Sequence, residues 1–526
     1  MTDLQPSAAP GLRRWLMLVL LFAVVTRASY AIQKSLVLDE FHSYFHATAA
    51  SLAAFQDGLW QDNHPPLSFL IIGAARDALG SEAWALRTPA LLFGLLDIAV
   101  VASLAGALVR QASRTTSAAC GISGYAPALA AALLAASTLH FDYGTQVRMY
   151  ALHGLCITVV TYALIALLAR DEGGANRIAV TTRLRGPAAC YAIASLAAFY
   201  NHYFAVQYVA LLSVAFVILA WRSRKRAALR AFIAAAAAAF VAALPWALTG
   251  LRHQIEHALP PGGDDVSAQA VAESFVQLFF HNIRFGGELG RWAFVAGAAL
   301  ALLVAARGFL LCLRDERLRQ GGLLLATAGF ALPVVSAGVA AALPRAGFNW
   351  HYVLPSSAAI AVLFGVGASG RIAQAAAAIS VALASALVGL HLVNPATEDF
   401  RGAVAHALSV CQPRSEDEVI RVVSVEWQPA LFPQGQPFDY YAPRLAKASG
   451  SPAPEREAMR EGEFTVAALE RLREADRVVM VRRSLPGDQH LLRELLKTHE
   501  LLERREFGFG TDVRVFGRRS AEAASD

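Results

Sequence analysis

Cysteine is scarce in this chain of 526 residues, and the five present (Cys120, Cys156, Cys190, Cys312 and Cys411) show no paired spacing. Cys411 stands alone in the C-terminal stretch, so neither a disulfide framework nor a cysteine-type zinc site is supported. No GxxxxGK[ST] phosphate loop occurs, which leaves ATP-driven transport without its motor. No GxGxxG opens a helix after a strand, which argues against a dinucleotide enzyme. The segments expected to face the cytoplasm, where nucleotide sugars reside, carry no DxD-like acidic pair. A two-half repeat and paired broken helices of the transporter kind are also missing.

Apolar residues, by contrast, are abundant. They make up 56% of the chain, against roughly 45–50% in soluble proteins, and the mean hydropathy is +0.44. Long Ala/Leu/Val runs recur from Trp15 to Val393, each near the ~20 residues that cross a bilayer. After Asn394 the chain becomes polar and is broken by Pro413, Pro429, Pro433 and Pro437. Two bodies are expected: a membrane domain over 1–393 and a soluble domain over 394–526 large enough for its own core. The first span follows Arg13 and Arg14 and precedes no evident cleavage site, so it reads as a retained helix.

Eleven spans are expected, near 15–32, 86–109, 119–138, 149–169, 187–201, 204–220, 230–248, 292–312, 321–343, 352–369 and 373–393. Alternate connections then hold the basic clusters: Arg13/Arg14, Arg110/Arg114, Arg170 to Arg185, Arg222 to Arg230, Arg314 to Arg319, and Arg371. The positive-inside rule makes these cytoplasmic. It also favours a break at Asn201-His202, since one long span there would put the Arg222 cluster outside. An odd count places the N-terminus in the cytoplasm and the soluble domain on the extracytoplasmic side of what reads as a bacterial inner membrane. The net charge of +6 is thus a matter of topology, and nucleic acid is not an expected partner.

Ten of the fourteen histidines fall in or beside the outer loops, and none in a cytoplasmic one. Histidine suits interfaces in general; it also suits metal, phosphate or proton chemistry. The first outer loop, 33–85, carries the densest polar chemistry: Leu38-Asp39-Glu40-Phe41-His42, then Asp62-Asn63-His64-Pro65-Pro66-Leu67. A carboxylate at Asp39, or at Glu40, can take a proton from an attacking hydroxyl; both acids also suit the first turn of a helix. The prolines after His64 hold it out of helical geometry, as a positioned ligand or simply as a helix entry. Residues 42–59 have helical spacing for a helix lying along the membrane surface, and Leu67 to Leu79 reads as another. A further irregular loop contains Pro260-Pro261-Gly262-Gly263-Asp264-Asp265 and can gate a site.

Arg148 and Tyr150 enter the fourth span from outside after Phe141-Asp142-Tyr143, where a guanidinium can hold a phosphate bidentately or anchor among headgroups. Arg87 offers the same choice. Phe348-Asn349-Trp350-His351-Tyr352 opens the tenth span. Its aromatics suit an interfacial belt, while His351 can join His64 on a divalent ion. The Asp39, His42 and His46 face is another candidate metal site. Asp97 is an intramembrane acid with no assigned role.

The run from Leu38-Asp39-Glu40 through Asn63-His64-Pro65-Pro66 to Trp84-Ala85-Leu86-Arg87-Thr88-Pro89 resembles the bacterial GT-C glycosyltransferases of family 39. These are relatives of the protein O-mannosyltransferases and lipid A aminoarabinose transferases. Val147-Arg148-Met149-Tyr150, Asn201-His202-Tyr203-Phe204 and Tyr352-Val353-Leu354-Pro355 resemble later landmarks in the same order, so the likeness covers most of 1–393. It implies a multi-pass α-helical enzyme of GT-C type with a small C-terminal extracytoplasmic α/β domain. Such an enzyme moves a sugar from a polyprenyl-phosphate donor to an envelope lipid, polysaccharide or protein acceptor. The resemblance matches Asp39 to the acid that activates the acceptor or organises the site, His64 to a position some relatives use near a metal, and Arg148 to an arginine at the entry to span four. Read with the residues above, Glu40 joins Asp39 as a candidate catalytic acid, and Arg87, His64 and Tyr150 join Arg148 at the donor phosphate. The same reading of the residues puts Asp142 and Tyr352 on the acceptor side and His64 and His351 on a divalent metal, and a lipid-phosphate donor needs no nucleotide cofactor. Gln146 stands where many relatives have an acid, and His351 where an arginine often precedes the tyrosine. The rivals are a transporter or flippase of lipid-linked sugars, which needs no base at Asp39, and a membrane scaffold displaying the soluble domain.

Overall fold

The computed structural model describes residues 11–113, 122–170, 177–257, 267–281, 287–342, 349–394, 398–415, 417–426, 436–449, 456–460, 466–483, 489–507 and 511–519. The expected loop at 260–265 lies outside these. Two compact units emerge, one of residues 1–31 with 53–392 and one of residues 32–52 with 393–526. The division runs through the first outer loop: its opening segment, 32–52, packs with the C-terminal residues.

The larger unit is helical throughout. Among the described residues, eight helices are long and apolar enough to cross a membrane, with Leu12–Gln33 and Ala83–Ala112 the first two. The other expected spans are also helices. Ala126–Ala136 and Pro355–Gly367 are shorter, and Arg177–Asn201 begins in a basic stretch. The break after Asn201 is real, since the next helix starts at Ala205. The seventh runs further than its hydropathy suggests, from Arg226 through a π turn at Ala247–Leu251 to His257.

Every residue of Pro355–Gly367 is buried, so its apolar character serves helix packing and not lipid contact. Glycines make that packing possible. A Cβ at Gly308 would overlap the Leu363 carbonyl, and one at Gly367 the Val304 carbonyl. The two helices therefore cross backbone to backbone, the close approach that small residues allow in membranes. The first outer loop folds as three short helices, Leu38–Ala47, Leu52–Gln61 and Leu67–Leu79. The single helix expected over 42–59 is thus divided.

The second unit contains a five-stranded mixed sheet in the order β2-β1-β3-β5-β4, with β1 at Ile420–Glu426, β2 at Arg456–Arg460, β3 at Arg477–Arg483, β4 at His499–Glu506 and β5 at Thr511–Arg518. β1 runs parallel to β2 and β3, while β5 is antiparallel to both β3 and β4. Val423, Leu472, Val478, Met480, Leu491 and Phe516 form its core. β4 and β5 pair as an antiparallel hairpin, with residues 508–510 of its turn outside the described set. The helix Pro437–Ser449 and strand β2 were not anticipated.

Candidate active site

Candidate residues occur in both units. In the second unit, Val37 precedes the helix Leu38–Ala47 in an extended conformation. The Glu40 carboxylate reaches back and accepts the Val37 N–H at 2.9 Å, as an acid at the third helical position does in a capping box. Glu40 is fully buried, whereas Asp39 is exposed. Of the two acids, Asp39 is the one whose carboxylate can meet a substrate. His42 and His46 follow on one face, with ring centroids 5.1 Å apart and planes nearly perpendicular. At one turn apart, such a pair can supply two ligands to a divalent ion.

The larger unit assembles a cluster of imidazoles and phenols around Arg148. Asp62 Oδ1 accepts the Asn63 N–H at 2.6 Å and holds His64 Nδ1 at 2.8 Å. Gln254 fixes the same turn by donating to the carbonyls of Leu59 and His64. Gln254 is itself held by the Tyr203 hydroxyl, which accepts from Trp246 Nε1 at 2.9 Å. A rigid frame thus stands behind His64.

His64 lies 6.1 Å from His202, ring centroid to ring centroid. His202 stacks on His153 at 5.0 Å and touches Tyr352 and Tyr150 at 5.3 and 5.8 Å. His351 sits 4.9 Å from Tyr150, 4.5 Å from Tyr352, and stacked on Tyr143 at 5.3 Å. The Arg148 guanidinium lies 5.8 Å from the Tyr150 ring centroid and is nine-tenths buried. It also lines a narrow cleft of about 10 Å³ with Ser68, Ile72, Leu86, Phe93 and Leu152. One cation and the Ser68 hydroxyl thus border a narrow, mostly apolar cleft.

The electrostatics of His202 are one-sided. Its Nδ1 accepts the Phe204 N–H at 3.1 Å, so in the neutral ring the proton is on Nε2. That Nε2–H has no hydrogen-bond partner among the described residues. Burial holds the His202 pKa well below its ordinary value, and His153, His64, His351 and Arg148 add to the effect. His202 is therefore a neutral donor in the neighbourhood of the Arg148 guanidinium.

The sequence-derived residues divide clearly. His64, Arg148, Tyr150, His351 and Tyr352 come together in this cluster. Arg87 stands elsewhere: fully buried, it donates to the Ala31 carbonyl and lies over the Tyr30 ring. Asp142 is bound by His391 at 3.1 Å, with His281 at 3.7 Å. His153, His202, Tyr143 and Gln254 were not assigned a role from sequence. The i, i+3 spacing of Tyr150 and His153 at the head of one helix was the available signal. For a metal at His64, the Asp62–His64 pair has the carboxylate-to-imidazole form that orients a metal-ligating histidine and leaves Nε2 for the ion.

No protein-family model matches the chain, and no curated protein matches it. Solved structures of GT-C glycosyltransferases align with it at low identity. ArnT from Cupriavidus metallidurans in the apo state is 15% identical, with a TM-score of 0.44 over 96% of this chain and 98% of that one. The same protein bound to undecaprenyl phosphate is 16% identical, with a TM-score of 0.45 over 98% and 99%. The Archaeoglobus fulgidus oligosaccharyltransferase tethered to an acceptor peptide is 12% identical, with a TM-score of 0.49 over 89% and 69%.

Proposed function

We propose that this chain is an integral-membrane glycosyltransferase that takes a sugar from a polyprenyl-phosphate carrier and passes it to an envelope acceptor on the extracytoplasmic side. The observation that carries this reading is the Arg148 cleft, where a buried guanidinium borders mostly apolar side chains and faces a Tyr150 ring. A phosphate on a hydrocarbon tail matches that polarity, since arginine binds phosphate through its fork and the side chains of Ile72, Leu86, Phe93 and Leu152 border the guanidinium.

The rings around Arg148 suit the sugar. Pyranoses present apolar faces to aromatic planes and hydroxyls to donors, and Tyr143, Tyr150, Tyr352 and the His202 Nε2–H supply both. As the bond to the carrier breaks, the departing phosphate gains negative charge, and a fixed guanidinium lowers the barrier. Asp39, exposed on its helix, is the carboxylate proposed to take the acceptor proton. A divalent ion held by His64 Nε2, with a partner such as His351, would add Lewis acidity at the phosphate.

The test is binding of a radiolabelled polyprenyl phosphate to the purified chain. Saturable binding to the wild type that weakens about tenfold or more in Arg148→Ala supports the reading. Binding that ignores Arg148, or is absent, overturns it.

A further inference from the structure

Within the second unit, three successive backbone amides at the start of the Asp39 helix are taken by side-chain oxygens. The Leu36 N–H donates to the Tyr441 hydroxyl at 2.7 Å, the Val37 N–H to Glu40 at 2.9 Å, and the Leu38 N–H to Glu398 at 2.7 Å. Two of these three acceptors lie about 400 residues away in the chain, 405 for Tyr441 and 360 for Glu398.

The surroundings reinforce them. The Ser35 hydroxyl donates to Tyr441 and accepts the Arg401 N–H, while Lys34 donates to the Asn394 carbonyl. One turn along, Phe41 is fully enclosed in an edge-on box of Phe400, Tyr440 and Tyr441 at 5.5–6.1 Å. Tyr44 meets Tyr440 in the same manner at 5.2 Å. The helix is thus gripped along one side while Asp39 stays exposed. Both gripping side chains are buried, Tyr441 at 5% and Glu398 at 6% exposure.

A mere cover over a site needs no such grip on one short helix. We propose that Tyr441 and Glu398 are positioning residues. Through the amides of Leu36 and Leu38 they fix the helix that presents Asp39, which makes the C-terminal unit part of the transfer machinery. The Leu38 amide, of the kind ordinarily left open at a helix start, and the Leu36 amide just before the helix are both closed by a distant segment, so the direction of Asp39 depends on the C-terminal fold. The proposal rests on the glycosyltransferase reading for the role of Asp39, but not for the grip itself.

The experiment compares Tyr441→Phe, Glu398→Ala and Glu398→Gln in the full chain. Amide exchange at Leu36 and Leu38 and the steady-state constants for sugar transfer are measured on folded protein. Expected are exchange about tenfold faster at the released amide and a kcat lowered about tenfold, with KM for the lipid donor unchanged. Glu398→Gln, which keeps an acceptor oxygen, should recover part of the loss. Unchanged exchange, or faster exchange with unchanged kcat, overturns the positioning role while leaving the function intact. An inactive wild type would instead sink the function, and the exchange data would still decide whether the C-terminal unit holds this helix.

Discussion

Two polar networks lie buried in the membrane unit, and they close differently. In the first, an Arg27 guanidinium nitrogen donates to His140 Nδ1 at 3.0 Å, and His140 Nε2 meets Asp97 Oδ2 at 3.3 Å. All three side chains are buried at 0 or 1% exposure. A cation, a neutral ring and an anion thus follow in line, joining the first span, the second and the turn before the fourth. The intramembrane acid has found a counter-charge, as an acid in lipid must. The second network, around Arg148, contains stacked rings, one guanidinium and the His202 Nε2–H without a partner among the described residues. The contrast teaches that a cation and an anion relayed through one ring tie spans together, whereas a guanidinium set among phenol and imidazole rings, with the His202 donor beside it, has the chemistry to meet an anionic, hydroxylated ligand.

This contrast can be broken by substitution. Arg148→Ala should lower sugar transfer by about 10²–10³-fold, the scale of removing one charge-stabilising donor. Its melting temperature should barely move; a large fall would make Arg148 a fold residue and erase the distinction. Asp97→Asn should do the opposite. It removes the carboxylate that His140 meets, while Asp142 still acts on Arg27, costing about 1–3 kcal/mol of stability, with transfer per folded molecule little changed. Thermal denaturation beside specific activity separates the two cases.

His202→Gln keeps a donor in place and should slow transfer by less than about tenfold. His202→Phe keeps only the ring and should lose more, since one lost donor to a ligand is worth about 1–3 kcal/mol. Equal activity of the two variants would remove the Nε2–H from the account. The smallest effect is one of pH. His202 stays neutral in the fold well below its ordinary range, while the unfolded ring protonates near about pH 6.5. As pH falls below about 6.5 the unfolded state binds one more proton, so stability should decline by up to about 1.4 kcal/mol per pH unit from this group. Denaturant titrations at pH 7.5 and 5.5 should show His202→Gln with a flatter dependence than the wild type.

Much of the fold was legible because a bilayer leaves few choices. Apolar runs mark the helices, and alternating arginines demanded the break that Asn201 and Ala205 now flank. Pro355–Gly367 shows the limit: composition cannot separate a buried core helix from a lipid-facing one, and burial at every position was unreadable. The cluster was partly visible. Arg148, Tyr150 and His351 were picked out by residue type at span ends, and His64 by the prolines that follow it. His202 was seen only as part of a landmark, because its role depends on which rings surround it. Asp97 was noticed without its partners, since a contact between Arg27 and His140, 113 positions apart, leaves no periodic trace. Arg87 was chosen for a charge that proved to be enclosed against Tyr30. The grip of Tyr441 and Glu398 on the Asp39 helix was hidden for a similar reason: single side chains in a proline-broken stretch carry no pattern.

The central claim is tested most directly by single-turnover transfer from a defined polyprenyl-phosphate sugar to an acceptor extract, with the chain reconstituted in nanodiscs. The account predicts stoichiometric release of polyprenyl phosphate by the wild type, a loss of about 10²–10⁴-fold in Asp39→Asn, and unchanged donor binding in that variant. Donor that binds and stays intact in the wild type, or transfer that proceeds undiminished in Asp39→Asn, would contradict it.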